Sequence, residues 1–127
     1  MGVPDTGQQT ARELYAAATD STGRTFEMAA DVADDLAAAC DRLVEQLQQA
    51  RRIAPTTVTG FPDLPSGHGL ARGFGAKGRE FLDTIAAFQE TALLFKAAYL
   101  AAGKHFAEAE AANRAAVALA ADRQEVL

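Results

Sequence analysis

Apolar residues recur in alternating steps of three and four along two stretches of the chain. The first stretch begins at Phe26 and ends at Ala54, and the second begins at Phe81 and ends at Ala120. This spacing places the apolar side chains on one face of an α-helix, and a seam sustained over many turns is typical of helices that pack against helices. The sequence therefore predicts an all-α fold with one long helix over residues 24–54 and a second over residues 80–123.

An antiparallel hairpin of these two helices would bring residue 54 opposite residue 81 and residue 40 opposite residue 95. Leucines beside the second seam widen its apolar stripe beyond what one partner helix covers. We therefore expect a further surface to be buried by another chain, with dimerisation completing a four-helix bundle. The candidate core and interface residues are Leu36, Leu43, Leu47, Phe81, Phe88, Leu94, Phe95 and Tyr99.

The N-terminal segment, residues 1–23, also has helical character between Thr6 and Thr19. The second long helix spans about 60 Å at ~1.5 Å per residue and overhangs the first. We expect the N-terminal helix to cover that overhang, continuous with the first long helix or kinked near Gly23, so that Tyr15 faces Ala120. The chain as a whole is predicted to form a single domain over residues 1–127.

The segment between the seams, residues 55–79, is rich in proline and glycine. Prolines stop the first helix and delay the next, although helix two could begin loosely near Gly67 with Ser66 as its N-cap. The stretch GFGAKG spells G-x-G-x-x-G, but a dinucleotide site needs a preceding strand, and PDLPSGHGLAR is not strand-like. We interpret Phe74, Gly75 and Gly78 as the hairpin corner, where small residues let two backbones approach.

Composition narrows the possible chemistry. The net charge is −5 and basic residues form no stripe, so nucleic acid is not an expected partner. Acid-rich polar faces also disfavour a membrane surface. The single cysteine, Cys40, lies on the apolar seam, where we expect it to be a small buried apolar residue. Neither His68 nor His105 belongs to a metal-ligand or catalytic motif. We therefore predict no cofactor, no metal and no enzymatic activity.

Two long helices joined at a glycine-containing corner resemble the WXG superfamily of actinobacterial type VII secretion. The chain has no Trp, and Phe74-Gly75 lies near the place of the W-x-G. The closer resemblance is to the WXG-like group, whose members carry a segment similar to LPSGHGLARGF, here Leu64 to Phe74. The resemblance implies helical hairpins that pair with themselves or with a sister protein, and it implies a larger secreted effector and the export machinery as partners.

Type VII substrates also carry an export signal of the form Y-x-x-x-[DE] near the end of the second helix. In this chain HFAEAEAAN offers Phe106 and Glu110, with Phe in place of Tyr. Residues four apart share one helix face, so a receptor could read both side chains together. Because Phe106 also lies on the apolar seam, the same residue could instead be part of the core.

The predicted function is thus a small helical protein of type VII secretion, either a secreted substrate or the escort of a larger effector, acting by helix packing. It would be cytoplasmic before export and then secreted or held at the cell surface without a Sec signal peptide, since the N-terminus is polar. The alternative is a cytosolic helical adaptor or regulator with no role in export.

Overall fold

A computed structural model of the protein describes residues 6–20, 25–53, 60 and 62–125. The described residues form four α-helices and no strand, which confirms the all-α prediction. The helices are α1 (Gln8–Ala18), α2 (Ala30–Ile53), α3 (Pro65–Ala102) and α4 (Phe106–Glu125). The first of these lies within the N-terminal helical segment that the sequence predicts; Gly23 and residues 54–59 fall outside the described residues.

Helix α3 is the centre of the fold, because α1, α2 and α4 each pack against it. The direction of α2 follows from its cross-contacts. Asp41 pairs with Lys96 at 2.8 Å, and the Gln89 side-chain amide donates to Gln48 Oε1 at 3.1 Å. Higher residue numbers in α2 lie opposite lower residue numbers in α3, so the two helices run antiparallel. The register is within about one turn of the predicted one.

The other two helices complete an up-down-up-down arrangement around α3. Helix α1 runs parallel to α3, since Gln8 bonds the carbonyl of Ala87 and Ala11 packs with Leu94. Helix α4 runs antiparallel, since Ala109 packs near Leu100 and Ala116 near Leu94. All three surrounding helices contact the second half of α3, which holds most of its buried side chains.

The prediction of one helix over residues 80–123 is wrong, because the chain turns back at Gly103–His105. Lys104 has a left-handed φ of 70°, and the His105 amide donates to the carbonyl of Leu100 at 2.8 Å. Gly103 lies against Ala33 of α2 so closely that a Cβ would overlap the Ala33 methyl. A helix continuing past residue 102 would lose this close approach, and α4 instead folds back along α3.

Because α4 folds back, the overhang that α1 was expected to cover does not exist. Tyr15 does not face Ala120 but packs on the cluster that contains Leu100 and Ala109. The segment after α1 contributes to the same cluster through Phe26 and Met28, and the Met28 amide donates to the carbonyl of Ala102 at 3.0 Å.

The predicted loop over residues 55–79 is also too long, because α3 begins at Pro65. Pro65 occupies the first helical turn, where its missing N–H costs nothing, and Leu64 rather than Ser66 is the N-cap residue. Phe74, Gly75 and Gly78 therefore lie inside a helix and not at a corner. Gly67 contacts the carbonyl of Pro62, an approach that a Cβ would prevent.

The core is built mainly from alanine. Leu100 is the largest fully buried side chain, and the other members of its cluster are alanines from all four helices. Because the side chains are short, the helix axes approach each other closely. The close packing of the core therefore comes from the proximity of the helix backbones. The cluster members are Ala18, Ala37, Leu100, Ala101, Ala102 and Ala109.

Candidate helix-docking face and polar layer

Four phenylalanines follow one another along α3 at intervals of seven residues: Phe74, Phe81, Phe88 and Phe95. This spacing places all four on one side of the helix, in a row about 30 Å long at 1.5 Å per residue. Phe74, Phe81 and Phe88 are 57%, 54% and 44% exposed, whereas Phe95 is half-buried. The described part of the chain therefore leaves about half of the Phe81 and Phe88 side chains uncovered.

The other half of the same seam is filled. Ile85 and Ala92, which alternate with the phenylalanines in the three-four pattern, are 5% and 4% exposed. Contacts within the described chain therefore cover only one half of the apolar seam, the half that holds Ile85 and Ala92. At Phe81 and Phe88, the described residues leave its phenylalanine side largely uncovered.

Helix α2 contributes leucines on the side next to this row. Leu43 is 46% exposed, and Leu36 and Leu47 are half-buried. In the antiparallel register that the Gln48–Gln89 contact sets, Leu47 lies within one turn of Phe88. We call Phe81, Phe88, Leu43 and Leu47 the apolar face. All four are predicted core or interface residues; of the other predicted residues of α3, Leu94 is 4% exposed in the core, and Phe95 and Tyr99 are half-buried.

The exposed part of the phenylalanine row ends before Phe95, which is half-buried. The Phe95 and Tyr99 rings lie 6.0 Å apart between centroids and are tilted by 31°. Burial raises the pKa of the Tyr99 phenol, with a second contribution from Cys40 across the interface with α2. Burial likewise raises the pKa of the Cys40 thiol, reinforced by Asp41 and opposed by Lys96. Beyond Phe88, therefore, the aromatic side chains enter the interior.

Three consecutive polar residues form a buried layer in the middle of α3. Gln89, Glu90 and Thr91 are 3%, 3% and 7% exposed. Successive residues on a helix point about 100° apart, so these side chains leave α3 in three directions. We call this group the polar layer.

The polar layer contacts two neighbouring helices: Gln89 contacts α2, and Glu90 and Thr91 contact α1 and a residue that precedes it. Gln89 accepts from Arg51 at 3.1 Å and donates to the carbonyl of Val44 at 3.3 Å, both on α2. Thr91 Oγ1 lies 3.1 Å from Thr6 Oγ1, next to α1. Glu90 lies 3.6 Å from the guanidinium of Arg12. Buried polar groups are costly unless they are partnered, so these contacts specify where α1 and α2 lie.

Glu90 also forms part of the floor of a groove between α1 and α4, with a volume of about 460 Å³. Arg12 stands on the α1 side and Asn113 on the α4 side, and the remaining lining is Leu94, Ala116, Val117, Ala120 and Ala121. Asn113, the one polar residue of the predicted second seam, is half-buried there. Its amide is available to the groove and does not lie in a helix–helix core.

The residues of the candidate export signal lie at the start of α4. Phe106 is 48% exposed and therefore is not a core residue, although the seam pattern allowed that reading. Glu110 is exposed one turn later and pairs with Arg114 at 2.9 Å. The aromatic ring and the carboxylate are both accessible on the first turns of one helix.

Comparisons with family models, with curated proteins and with solved structures give no match to this chain. In the part of the chain that the structure describes, no three His, Cys, Asp or Glu side chains are grouped to hold a metal ion. Across the same residues, no helix has the length and apolar content needed to cross a membrane.

The polar layer is the feature that sequence reasoning missed. Its signal was present, because QET interrupts the apolar stretch from Ile85 to Ala102. A helix that is apolar on every side is surrounded by neighbours, so a polar triplet within it must be buried and paired.

Proposed function

We propose that this chain is a non-enzymatic helical partner protein that docks an amphipathic helix of another chain on its apolar face. The observation that carries the proposal is the exposed pair Phe81 and Phe88, one heptad apart beside a filled half-seam. A heptad row selects a helix as its partner, because only a helix presents side chains at the matching repeat.

The exposed area of the two phenylalanines sets the scale of the association energy. At about 200 Å² per aromatic side chain, the exposed parts of Phe81 and Phe88 amount to roughly 200 Å². Covering that area is worth about 5 kcal/mol at ~25 cal/mol per Å². Association itself costs about 4–15 kcal/mol, so the leucines of α2 must contribute as well.

The setting that we propose is type VII secretion, on the resemblance of the chain to WXG-like proteins. In that setting the chain is a small secreted substrate, or the escort of a larger effector whose helix covers the apolar face. The exposure of Phe106 and Glu110 supports a role of α4 in recognition by the export machinery, since a receptor can reach both side chains.

The docking proposal is tested with the double substitution Phe81→Ser and Phe88→Ser. The wild-type chain and the variant are compared by light scattering over a concentration series, alone and mixed with helical proteins encoded beside it. We expect the substitution to abolish association. Val117→Ser is the matched control, because Val117 is 60% exposed on α4 and lies outside the apolar face. Equal association by the wild type and the double variant would refute the proposal.

The secretion proposal is tested separately by Phe106→Ala and Glu110→Gln. Both are substitutions of exposed residues, so the fold should survive them. We expect each to reduce the amount of protein in the culture medium without changing the amount in the cell. Undiminished partner binding together with no export by the wild type would favour the cytosolic adaptor instead.

A further inference from the structure

Helices α1 and α4 both pack on α3 but stand apart from each other. Among the described residues, no Cα atom of α1 lies within 8 Å of a Cα atom of α4. The space between them is the groove whose lining includes Glu90 and Leu94 of α3, and we call it the α1–α4 groove. Glu90 follows Phe88 by two residues, or about 200° around the helix. The groove therefore lies on the opposite side of α3 from the apolar face.

The size of the α1–α4 groove selects a small molecule as its occupant. Its volume of about 460 Å³ falls within the ~300–1,000 Å³ of small-molecule sites, which are lined mainly by apolar groups and hold a few polar groups that orient the ligand. Two turns of a helix about 10 Å wide would occupy roughly 850 Å³, so the groove is too small for a helix of a partner.

Arg12 supplies positive charge at the surface of the groove. Its side chain is 60% exposed and lies 3.6 Å from the carboxylate of Glu90, which is 4% exposed. Charge-assisted hydrogen bonds are typically ~2.7–2.9 Å long, so this contact is a loose ion pair. The described residues give Arg12 no further partner, although a guanidinium has five N–H donors. A molecule in the groove therefore meets the cation first and Glu90 beneath it.

Asn113 adds donors from the opposite wall. Its side chain is half-buried and makes no hydrogen bond to any residue that the structure describes. An amide offers two N–H donors, and Arg12 keeps its charge at every physiological pH. The remaining lining is apolar, with Leu94, Ala116 and Val117 nearest the polar groups in sequence. This arrangement is complementary to a ligand with an anionic acceptor at one end and an aliphatic body.

We propose that the α1–α4 groove binds a small aliphatic carboxylate. Arg12 and Asn113 hold the carboxylate, and the chain lies against Leu94, Ala116 and Val117. At the ~30 Å³ that a water molecule occupies in the liquid, the groove holds about fifteen non-hydrogen atoms, which matches a carboxylate of about ten carbons. The site is separate from the apolar face, and neither depends on the other.

The first test is a titration of decanoate into the isotope-labelled chain near pH 7, followed by NMR. We expect shifts of the Leu94 and Val117 methyl groups and of the Asn113 side-chain amide, with a dissociation constant on the order of 100 µM. Decylammonium has the same chain and the opposite charge, and it should bind at least about tenfold more weakly. Equal binding of the two ligands, or no binding of decanoate at about 1 mM, overturns the proposal.

The second test places a carboxylate in the wall of the groove. Val117 is 60% exposed, so Val117→Glu should fold, and we expect it to abolish decanoate binding. Ala118→Glu is the matched control, because it makes the same change of charge at the next residue, which is exposed on α4 and does not line the groove. It should bind decanoate as the wild type does. Wild-type affinity in Val117→Glu contradicts the assignment.

A third variant, Arg12→Gln, removes the cation. We expect decanoate binding to weaken by about tenfold, since a hydrogen bond to a charged group is lost. Circular dichroism checks that the variant is folded, because Glu90 loses its ion-pair partner. If the folded variant binds decanoate with the wild-type affinity, Arg12 does not hold the carboxylate and the proposal fails.

The location of the bound ligand separates this site from the apolar face. Decanoate binding should persist in the double variant Phe81→Ser and Phe88→Ser. Shifts confined to Leu43 and Leu47, and lost in that double variant, would place the ligand on the apolar face and overturn the groove as its site. Docking of a partner helix on the apolar face would stand in either case, because it is measured by association and not by decanoate binding.

Discussion

Replacing Leu100 by Ala tests whether α1, α2 and α4 close around α3. Leu100 is 2% exposed in a cluster whose other members are alanines. The substitution removes three carbon atoms, worth about 2.4 kcal/mol at ~0.8 kcal/mol per buried CH₂. The buried members of the cluster are alanines, which have no rotamers, and only the partly buried Tyr15, Phe26 and Met28 can relax toward the space, so part of the cavity remains and adds to the cost. We expect a loss of about 4 kcal/mol in the free energy of unfolding, a large share of the ~5–15 kcal/mol of a typical domain.

The measurement is urea unfolding followed by circular dichroism, at a low protein concentration so that association does not add apparent stability. Leu43→Ala is the matched control. It makes the same change in a helix at a site that is 46% exposed, and we expect it to cost less than about 1 kcal/mol. A loss below about 1.5 kcal/mol for Leu100→Ala, with an unchanged denaturant slope, would show that α1 and α4 do not close over this side chain.

Three further predictions concern the turns and the titrating groups. Gly73→Ala should stabilise the fold by about 0.5–1 kcal/mol, because the new Cβ lies in a helix and meets open space. Gly103→Ala should instead destabilise it by about 1–3 kcal/mol, because the new Cβ overlaps the Ala33 methyl. Thermal unfolding of both variants measures the difference. Lys104→Gly should stabilise by about 1 kcal/mol in the same assay, because φ is 70° there and glycine adopts it freely. Burial raises the pKa of Cys40, so the folded chain holds the thiol proton more tightly than the unfolded chain does. The free energy of unfolding should therefore fall as the pH rises above the ordinary thiol pKa of 9.0. Cys40→Ser should reduce that fall, as measured by urea unfolding at pH 8 and pH 10.

Much of the fold follows from hydrophobic periodicity, and its failures have a physical cause. The step from Ala102 to Phe106 to Ala109 continues the three-four pattern without interruption across the turn at Gly103. A pattern of this kind cannot distinguish one long helix from two that fold together, because it records which side is apolar and not whether the axis continues. Gly103 alone marked the turn, and a lone glycine within a helix is common enough to be passed over.

The start of α3 was misjudged for a different reason. Glycines at positions 67, 69, 73, 75 and 78 each weaken a helix by about 1 kcal/mol, which favoured a loop. Pro65 was the stronger signal, because it belongs in a first helical turn. The sequence predicts only part of the apolar face. It identifies Phe81 and Phe88 as packing residues, but their exposure depends on where α1, α2 and α4 lie.

The polar layer also limits how this protein can change in length. A residue inserted or deleted between Thr91 and Gly103 turns the two ends of α3 by about 100° relative to each other and moves them by ~1.5 Å. Gln89, Glu90 and Thr91 would then point away from their neighbours while the turn at Gly103 stayed against Ala33. Lengthening or shortening α3 before Ile85 disturbs none of these contacts. Variation in chain length among descendants of this protein should therefore accumulate in the first half of α3.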